Sequence, residues 1–361
     1  MKNIVILGGA RDYHAMDWYR AVRQNISDKK LSFLTDLMGG EGFDIIAKDD
    51  DEIEKLFIID KFLFSKQSKL GNIWRNIFKL SIMPLQVYRL KKHAKRNPNT
   101  IYHAHPMYYM FLCWLAGVEF VGTPQGSEIL IRPYRSKIYR YFAVKSLQAA
   151  KYITVDSVSM KDKIYELSSV EAIVVQNGID MEQLLKYSQL SRSKDKIVSI
   201  RGMTGLYRID EIVTARNRTF PKLPLTFIYP FMEDSYRVRV KKKLIPNDVD
   251  LGRLDKEQMY KLLSESKLVI SIPKSDSSPR SVYEAIFLGA CVAIRHNNYY
   301  EVLPLCMKER IFIIDFANES WLKEAIAFAD KIKTIKYHPS KEALEMFDQN
   351  ISMKKMIDKL Y

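Results

Sequence analysis

The sequence predicts an α/β protein made of two doubly wound, Rossmann-like domains that face a cleft. Three observations predict it. The chain has 361 residues, more than one hydrophobic core usually serves. Short apolar runs alternate with helical patterns, which implies parallel sheets covered on both faces. The alternation breaks at a polar stretch, 188-SQLSRSKDK-196, and then restarts. A hinge is therefore expected between about 180 and 196.

In the first half, Ile4–Leu7 reads as a strand running into Gly8-Gly9, and 14-HAMDWYRAVRQ-24 carries apolar positions at helical spacing. Leu31–Leu37, Leu56–Ile59, Ile101–His103, Phe120–Thr123 and Tyr152–Val155 are the further expected strands. Residues 73–96 form an amphipathic segment that Pro84 interrupts, which predicts two helices or a kinked one. In the second half, Ile197–Ile200, Leu225–Tyr229, Leu268–Ile272, Cys291–Ile294 and Ile311–Ile314 read as strands. Asp210–Asn217, Lys256–Ser264 and Val282–Leu288 read as helices. Sheets wound this way bind ligands beyond the carboxyl ends of their strands.

Hydrophobic residues make up 47% and charged residues 27%, an ordinary globular balance. Cys113, Cys291 and Cys306 form an odd, sparse set with no CxxC, which argues against a disulfide framework or a zinc site and fits a reducing cytoplasm. The most apolar segment, 108–118, falls short of the ~20 residues that cross a bilayer. A cytoplasmic chain with no spanning or exported segment is expected. The net charge of +15 attracts polyanions. No nucleic-acid recognition motif or stacking platform is visible, so no nucleic-acid partner is expected. Two basic clusters stand out, 89-RLKKHAKR-96 and 237-RVRVKKK-243. Apolar and aromatic residues beside lysines in 73–96 suit peripheral contact with an anionic membrane face.

The chemistry-bearing block is 275-SDSSPRSVYEAIFLGACVAI-294. A strand stops at Pro273, a Ser-rich loop follows, and a helix begins near Arg280. Ser278 or Ser281 is the expected cap. The helix start, from Ser278 and Pro279 through Arg280, Ser281 and Val282, makes an anion site with its free N–H groups and positive dipole end. Glu284 lies one turn in and can accept from a hydroxyl pair such as a ribose. Asp276 lies at the strand end and can face a polar ligand. An anion cradle flanked by two acceptors suits a nucleoside diphosphate sugar. No Asp-x-Asp ends a strand of the second domain, and 49-DDD-51 reads as an exposed acidic loop, so no metal is expected.

This block resembles the acid-x7-Glu motif of retaining GT-B glycosyltransferases, family 4 in particular, with 284-EAIFLGACVAI-294 matching its second half. Asp276 stands where the family usually has a first Glu, a variant of bacterial surface-polysaccharide transferases. The resemblance runs along most of the chain. Gly8-Gly9 with 14-HAM-16 resembles the first glycine loop and helix, and 102-YHAHP-106 the His-x-His strand end, which places His105 near the donor sugar. Residues 123-TPQGSEIL-130 resemble its Thr-Pro-His-Gly-Ser-Asp segment, with Gln125 and Glu128 altered, and 175-VQNGID-180 the turn that ends the N-domain. Residues 340–361 resemble the closing helix that crosses back. The family's Gly-Arg pair and Lys-Gly, which clamp the diphosphate, are represented by Arg201-Gly202 and Arg208. Gly252 to Leu254 match the base pocket.

The resemblance implies an acceptor-binding domain over 1–185, a nucleotide-sugar domain over 195–340 and a crossing helix over 341–361. It implies a retaining, metal-independent hexosyltransferase of surface-polysaccharide synthesis with no cofactor. The donor would be UDP- or GDP-linked and the acceptor a glycan; the basic N-domain and the 73–96 segment, rather than the resemblance, suggest an acceptor carried on a polyprenyl diphosphate. Arg201 and Arg208 would stabilise the leaving diphosphate, Glu284 hold the ribose, Asp276 the sugar, and His105 orient the hexose. His103, Tyr108, Tyr109 and Trp114 read as structural. A sugar-nucleotide 2-epimerase of the same fold, or a sugar- or lipid-binding relative without turnover, stays open at this point.

Overall fold

Each half of the chain winds its own parallel sheet in the computed structural model, which describes residues 3–9, 12–26, 29–35, 49, 51–55, 69–175, 178–188, 193–274, 276 and 278–361. The first sheet holds β1 (Asn3–Leu7), β2 (Leu31–Thr35), β3 (Ile53–Lys55), β4 (Thr100–Ala104), β5 (Phe120–Gly122), β6 (Tyr152–Val155) and β7 (Ala172–Val174), in the order β3-β2-β1-β4-β5-β6-β7. The second holds β8 (Lys196–Ser199), β9 (Thr226–Ile228), β10 (Val249–Gly252), β11 (Ser266–Ser271), β12 (Cys291–Ile294) and β13 (Ile311–Ile313), in the order β10-β9-β8-β11-β12-β13. Every pairing is parallel, with β1 set between β2 and β4 and β11 between β8 and β12. The central strands β2, β4 and β12 are buried along their whole length. Burial on both faces is what makes such strands read as unbroken apolar runs.

The chain divides into one compact unit of Met1–Gln176 with Ser352–Tyr361, and a second of Asn177–Ile351. The expected division runs later, to 185, with the whole of 341–361 crossing back. Met181 and Leu184, on the Met181–Ser188 helix, are buried with Tyr260 and Val282 of the second unit, which draws that helix into it. The closing segment is two helices rather than one, Lys341–Phe347 and Gln349–Leu360. The break falls at Asp348, whose backbone is extended and whose carboxylate accepts from Asn350 N at 2.8 Å, starting the second helix. Ala343 and Phe347 join the second unit's core, whereas Met353 and Ile357 are buried against β1 and the Tyr13–Asn25 helix.

Other expectations shift at their edges. The expected strand Leu56–Ile59 lies outside the described residues, as do Ser275 and Ser277 of the motif loop. Residues 69–96 form one helix, with Pro84 inside it. The carbonyl deprived of its donor is that of Leu80, 66% exposed, and water can serve it there. Asp49 is exposed, but the Asp51 carboxylate is buried between Arg20 and Arg23 at 3.0 and 3.2 Å, so the expected exposure of the acids does not extend to Asp51.

Candidate functional site

Both sheets reverse their winding between neighbouring strands, β1 and β4 in the first unit and β8 and β11 in the second. The carboxyl ends at such a reversal form the crevice where open α/β sheets take ligands. The residues that the sequence singles out lie there. Gly8 and Gly9 follow β1, His105 follows β4, Arg201 follows β8, and Asp276 and the Arg280–Phe287 helix follow β11.

In the first unit, Gly8 is fixed by proximity. A Cβ there would lie 2.8 Å from Ala15 Cβ and 3.1 Å from the His105 carbonyl. The backbone of β1 thus meets both the Tyr13–Asn25 helix and the end of β4. Gly9 is buried and its carbonyl accepts from Asp12 N at 2.8 Å, which starts the turn into that helix. His105 is 4% exposed, and its Nε2 has no hydrogen-bond partner. Burial pushes its pKa down to about 3, with the charge of His14 adding to the effect. Its imidazole is therefore neutral. Behind it, His103 is fully held: Nε2 bonds Thr123 Oγ1 at 2.7 Å, and Nδ1 bonds the Tyr361 hydroxyl, which also accepts from Trp18 Nε1 at 3.1 Å. The Trp18 ring lies 5.0 Å from His103 and 5.4 Å from His105, so the chain's last residue helps wall the His105 site. The sequence gives no sign of that wall.

Gln125 and Glu128 have local work. Glu128 Oε2 accepts from Gln125 N at 3.0 Å and from Met107 N at 2.9 Å, serving the starts of two helices. Burial raises its pKa against the pull of those amides.

In the second unit, Arg201 is the centre. One end of its guanidinium pairs with the Asp276 carboxylate, Nη1 donates to Ser281 Oγ at 3.2 Å, and its plane lies 4.9 Å from the Tyr207 ring. Arg201 therefore touches two further expected site residues. Asp276 meets an arginine first, and its direct part is to hold that arginine in place. Arg208 stands apart, in a left-handed backbone conformation before the Ile209–Thr219 helix, over the Phe316 ring and 3.2 Å from Glu211.

The Arg280–Phe287 helix begins after Pro279, which offers no capping side chain, so the expected Ser278 or Ser281 cap is absent. Ser278 Oγ turns toward the Tyr283 hydroxyl at 3.5 Å, and Ser281 Oγ is taken by Arg201. An uncapped helix start leaves amides for a ligand, although Arg280 N and Val282 N already make turn bonds of 3.1 and 2.9 Å. Val282 packs into the core. Glu284 is 3% exposed: its Oε1 accepts from the Tyr260 hydroxyl at 2.8 Å and lies 3.3 Å from Arg280 Nε. Both of those contacts fall on one carboxylate oxygen, which leaves Oε2 to accept from a ligand. Tyr260 is carried by the Lys256–Ser264 helix, capped by Asp255. Gly252, at φ +63° with open space where a Cβ would sit, turns the chain from β10 toward it, and half-buried Leu254 packs against the same core.

Polar atoms without a hydrogen-bond partner gather at this reversal. Ser199 Oγ at the end of β8, Ser271 Oγ at the end of β11, Arg201 Nε and the Tyr299 hydroxyl are all buried. Such groups are costly unless something else meets them. Tyr260, Tyr207 and Tyr299 escape a reading of the sequence, because lone tyrosines carry no local signal. Among the described residues no group of three or more His, Cys, Asp or Glu could hold a metal ion.

Comparison with solved structures agrees with this fold. Anabaena Alr3699/HepE in complex with UDP and glucose superposes with a TM-score of 0.71 at 14% identity, covering 99% of each chain. Sucrose-phosphate synthase from Thermosynechococcus elongatus gives 0.71 at 12%, covering 99% of this chain and 98% of that one. A glycosyltransferase from Rickettsia africae gives 0.68 at 14%, covering 99% and 97%. The fold is GT-B. No protein-family model matches the sequence, and no curated protein matches it. In the second unit, the β8/β11 reversal brings an arginine, a serine and a helix start together.

Proposed function

We propose that this chain is a glycosyltransferase, similar to family 4, that moves a hexose from a nucleoside diphosphate sugar. The acceptor is a glycan or a lipid-linked sugar, used in surface-polysaccharide synthesis at the cytoplasmic membrane face. One observation carries the reading: Arg201, fixed by Asp276 and Ser281 at a helix start, sits amid buried polar atoms that lack partners. With Nη2 on Asp276 and Nη1 on Ser281, the guanidinium is fixed on two sides and keeps Nε and the second N–H of each Nη, charged donors that suit a phosphate. UDP and glucose in the HepE complex favour UDP as the carrier.

In this mechanism Arg201, with Arg208 and the Ser278–Val282 helix start, stabilises charge that builds on the leaving diphosphate. These cations and amides do this without a metal ion. Glu284, with Oε2 open, takes the ribose. Asp276 orients Arg201 and borders the sugar, neutral His105 orients the hexose, and Gly252–Leu254 border the base. The acceptor oxygen attacks on the face that the diphosphate leaves, and a leaving phosphate oxygen takes its proton, so configuration is retained.

The test is a thermal-shift and calorimetric screen of the full chain against UDP-, GDP- and dTDP-sugars, with and without EDTA. Stabilisation by one nucleotide that survives EDTA and disappears in Arg201→Ala and Glu284→Ala supports the site. Unchanged binding in both variants overturns it. Free nucleoside diphosphate that appears only when an acceptor glycan is supplied marks transfer; its release without acceptor, or a 2-epimerised sugar, marks the rival chemistry.

A further inference from the structure

The chain's charge is concentrated in one place. Residues 61–155 hold sixteen lysines and arginines but two acids, Glu119 and Glu128, a surplus of fourteen in a chain of net +15. Neither acid offers free negative charge. Glu128 is buried on backbone amides, and Glu119 pairs with Lys151 at 3.1 Å.

The helices at 69–96, 132–135 and 137–149 carry most of this surplus, with the uncharged Met107–Ala116 helix packed between the first and the last. The Lys69–Arg96 helix packs Met83, Gln86, Val87 and Leu90 inward. Its opposite side carries Ile77, Leu80, Leu85 and Tyr88, all more than half exposed. The same stripe continues as Lys91, Lys92, Lys95 and Arg96, all exposed. One helical face is thus apolar over its middle turns and cationic over its last two. The Met107–Ala116 helix packs beside it and also against the Lys137–Ala149 helix. Trp114 on the middle helix lies 6.4 Å from the Tyr141 ring. The third helix and the short Arg132–Arg135 helix before it repeat the pattern. Tyr134, Ile138 and Tyr141 are exposed, Ile138 at 75%, and alternate with exposed Arg135, Lys137 and Arg140.

We infer that this three-helix face docks on a bilayer that carries anionic headgroups. Exposed aliphatic and aromatic side chains set among lysines and arginines match the boundary between acyl chains and negative headgroups. A second copy of the chain is a poor occupant, since a two-fold interface would set cation against cation. Nucleic acid fits the charge but not the aliphatic crown, which cannot stack on bases. The inference deepens only the membrane-contact part of the proposed function and needs neither the donor nor the reaction.

The experiment is co-sedimentation of the full chain with two kinds of vesicle, pure phosphatidylcholine and phosphatidylcholine with about a third phosphatidylglycerol. Lysines and arginines near such a surface are attracted to anionic headgroups, so affinity for the anionic vesicles is expected to exceed that for neutral ones at least tenfold. Two variants separate the charge and apolar parts, Lys91→Glu/Lys92→Glu/Lys95→Glu and Leu85→Glu/Tyr88→Glu. Each is expected to lose at least tenfold in vesicle affinity while keeping the wild-type melting temperature and UDP affinity in solution. Solvent-exposed positions make misfolding of either variant a poor explanation of loss, and the melting curve checks it. Absence of binding to anionic vesicles, or binding that both variants keep, overturns the inference. So does a cation-dependent dimer in ultracentrifugation, or preference for RNA over anionic vesicles in direct competition. Vesicle binding that persists when no sugar nucleotide binds would leave this face standing and remove the proposed reaction.

Discussion

Arg201 is the side chain on which most of the second unit's site converges, and its geometry decides what a conservative change does. The guanidinium spans Asp276 on one side and Ser281 on the other while lying over Tyr207. An ammonium keeps the charge but cannot make the forked, planar contacts together. Arg201→Lys is therefore expected to weaken nucleotide binding about tenfold, or roughly 1.4 kcal/mol, with little change in melting temperature. Titration calorimetry with UDP checks this. His105 makes a pH prediction. Its folded value of about 3 lies below the usual imidazole value because of burial, then His14. Between about pH 6.5 and 3 the unfolded chain binds the extra proton. The stability contributed by His105 is thus complete above about pH 6.5 and is lost as pH falls toward 3, at a slope of up to about 1.4 kcal/mol per unit. His105→Gln should flatten the acid limb of stability against pH in denaturant titrations. A limb of identical slope in that variant would contradict a neutral, buried imidazole.

At the scale of elements, the sequence shows best what is buried on both faces. The inner strands β1, β4, β8, β11 and β12 have apolar runs that periodicity finds. β3, β7 and β10 escape it, and each is the last strand at one edge of its sheet. β10 alternates exposed and half-buried residues, so it has no apolar run to read. The same logic explains the cluster 237-RVRVKKK-243, which lies largely on the Asp234–Lys241 helix, where Arg237 and Lys241 pair with Asp250 at 3.0 and 3.3 Å. Contacts between distant segments leave no mark on a linear pattern. Lys194 is the clearest case. Its Nζ donates to the carbonyls of Ser264 and Leu288, closing the ends of the Lys256–Ser264 and Arg280–Phe287 helices, which hold Tyr260 and Glu284. Burial, then Arg310, lowers its pKa to about 8. Lys194→Met removes both bonds and should cost about 1–3 kcal/mol, read as a lower midpoint in urea at pH 7 with an unchanged m-value.

At the scale of the whole molecule, the fold class and the motif block were legible because a doubly wound unit repeats one local pattern. The final residues were not, because their partners lie more than two hundred positions away. Residues 341–361 are expected from the resemblance as one crossing helix, yet Asp348 breaks them, and from Ser352 onward the chain belongs to the first unit. Met353 and Ile357 pack with Ile4, Tyr19 and Phe33, and Leu360 with Ile101 and Val121. Tyr361 completes the bonds of Trp18 and His103. Losing three such buried aliphatic side chains at about 2–5 kcal/mol each removes as much as a domain's entire margin of about 5–15 kcal/mol. A chain ending at Ile351 should therefore lose the folding transition of its first unit, while the second unit, which contributes none of these contacts, keeps its own. Differential calorimetry would show one transition abolished or moved far down and the other in place, and limited proteolysis would leave a core beginning near Gly178. If both transitions shift together, the final helix does not belong to the first unit alone.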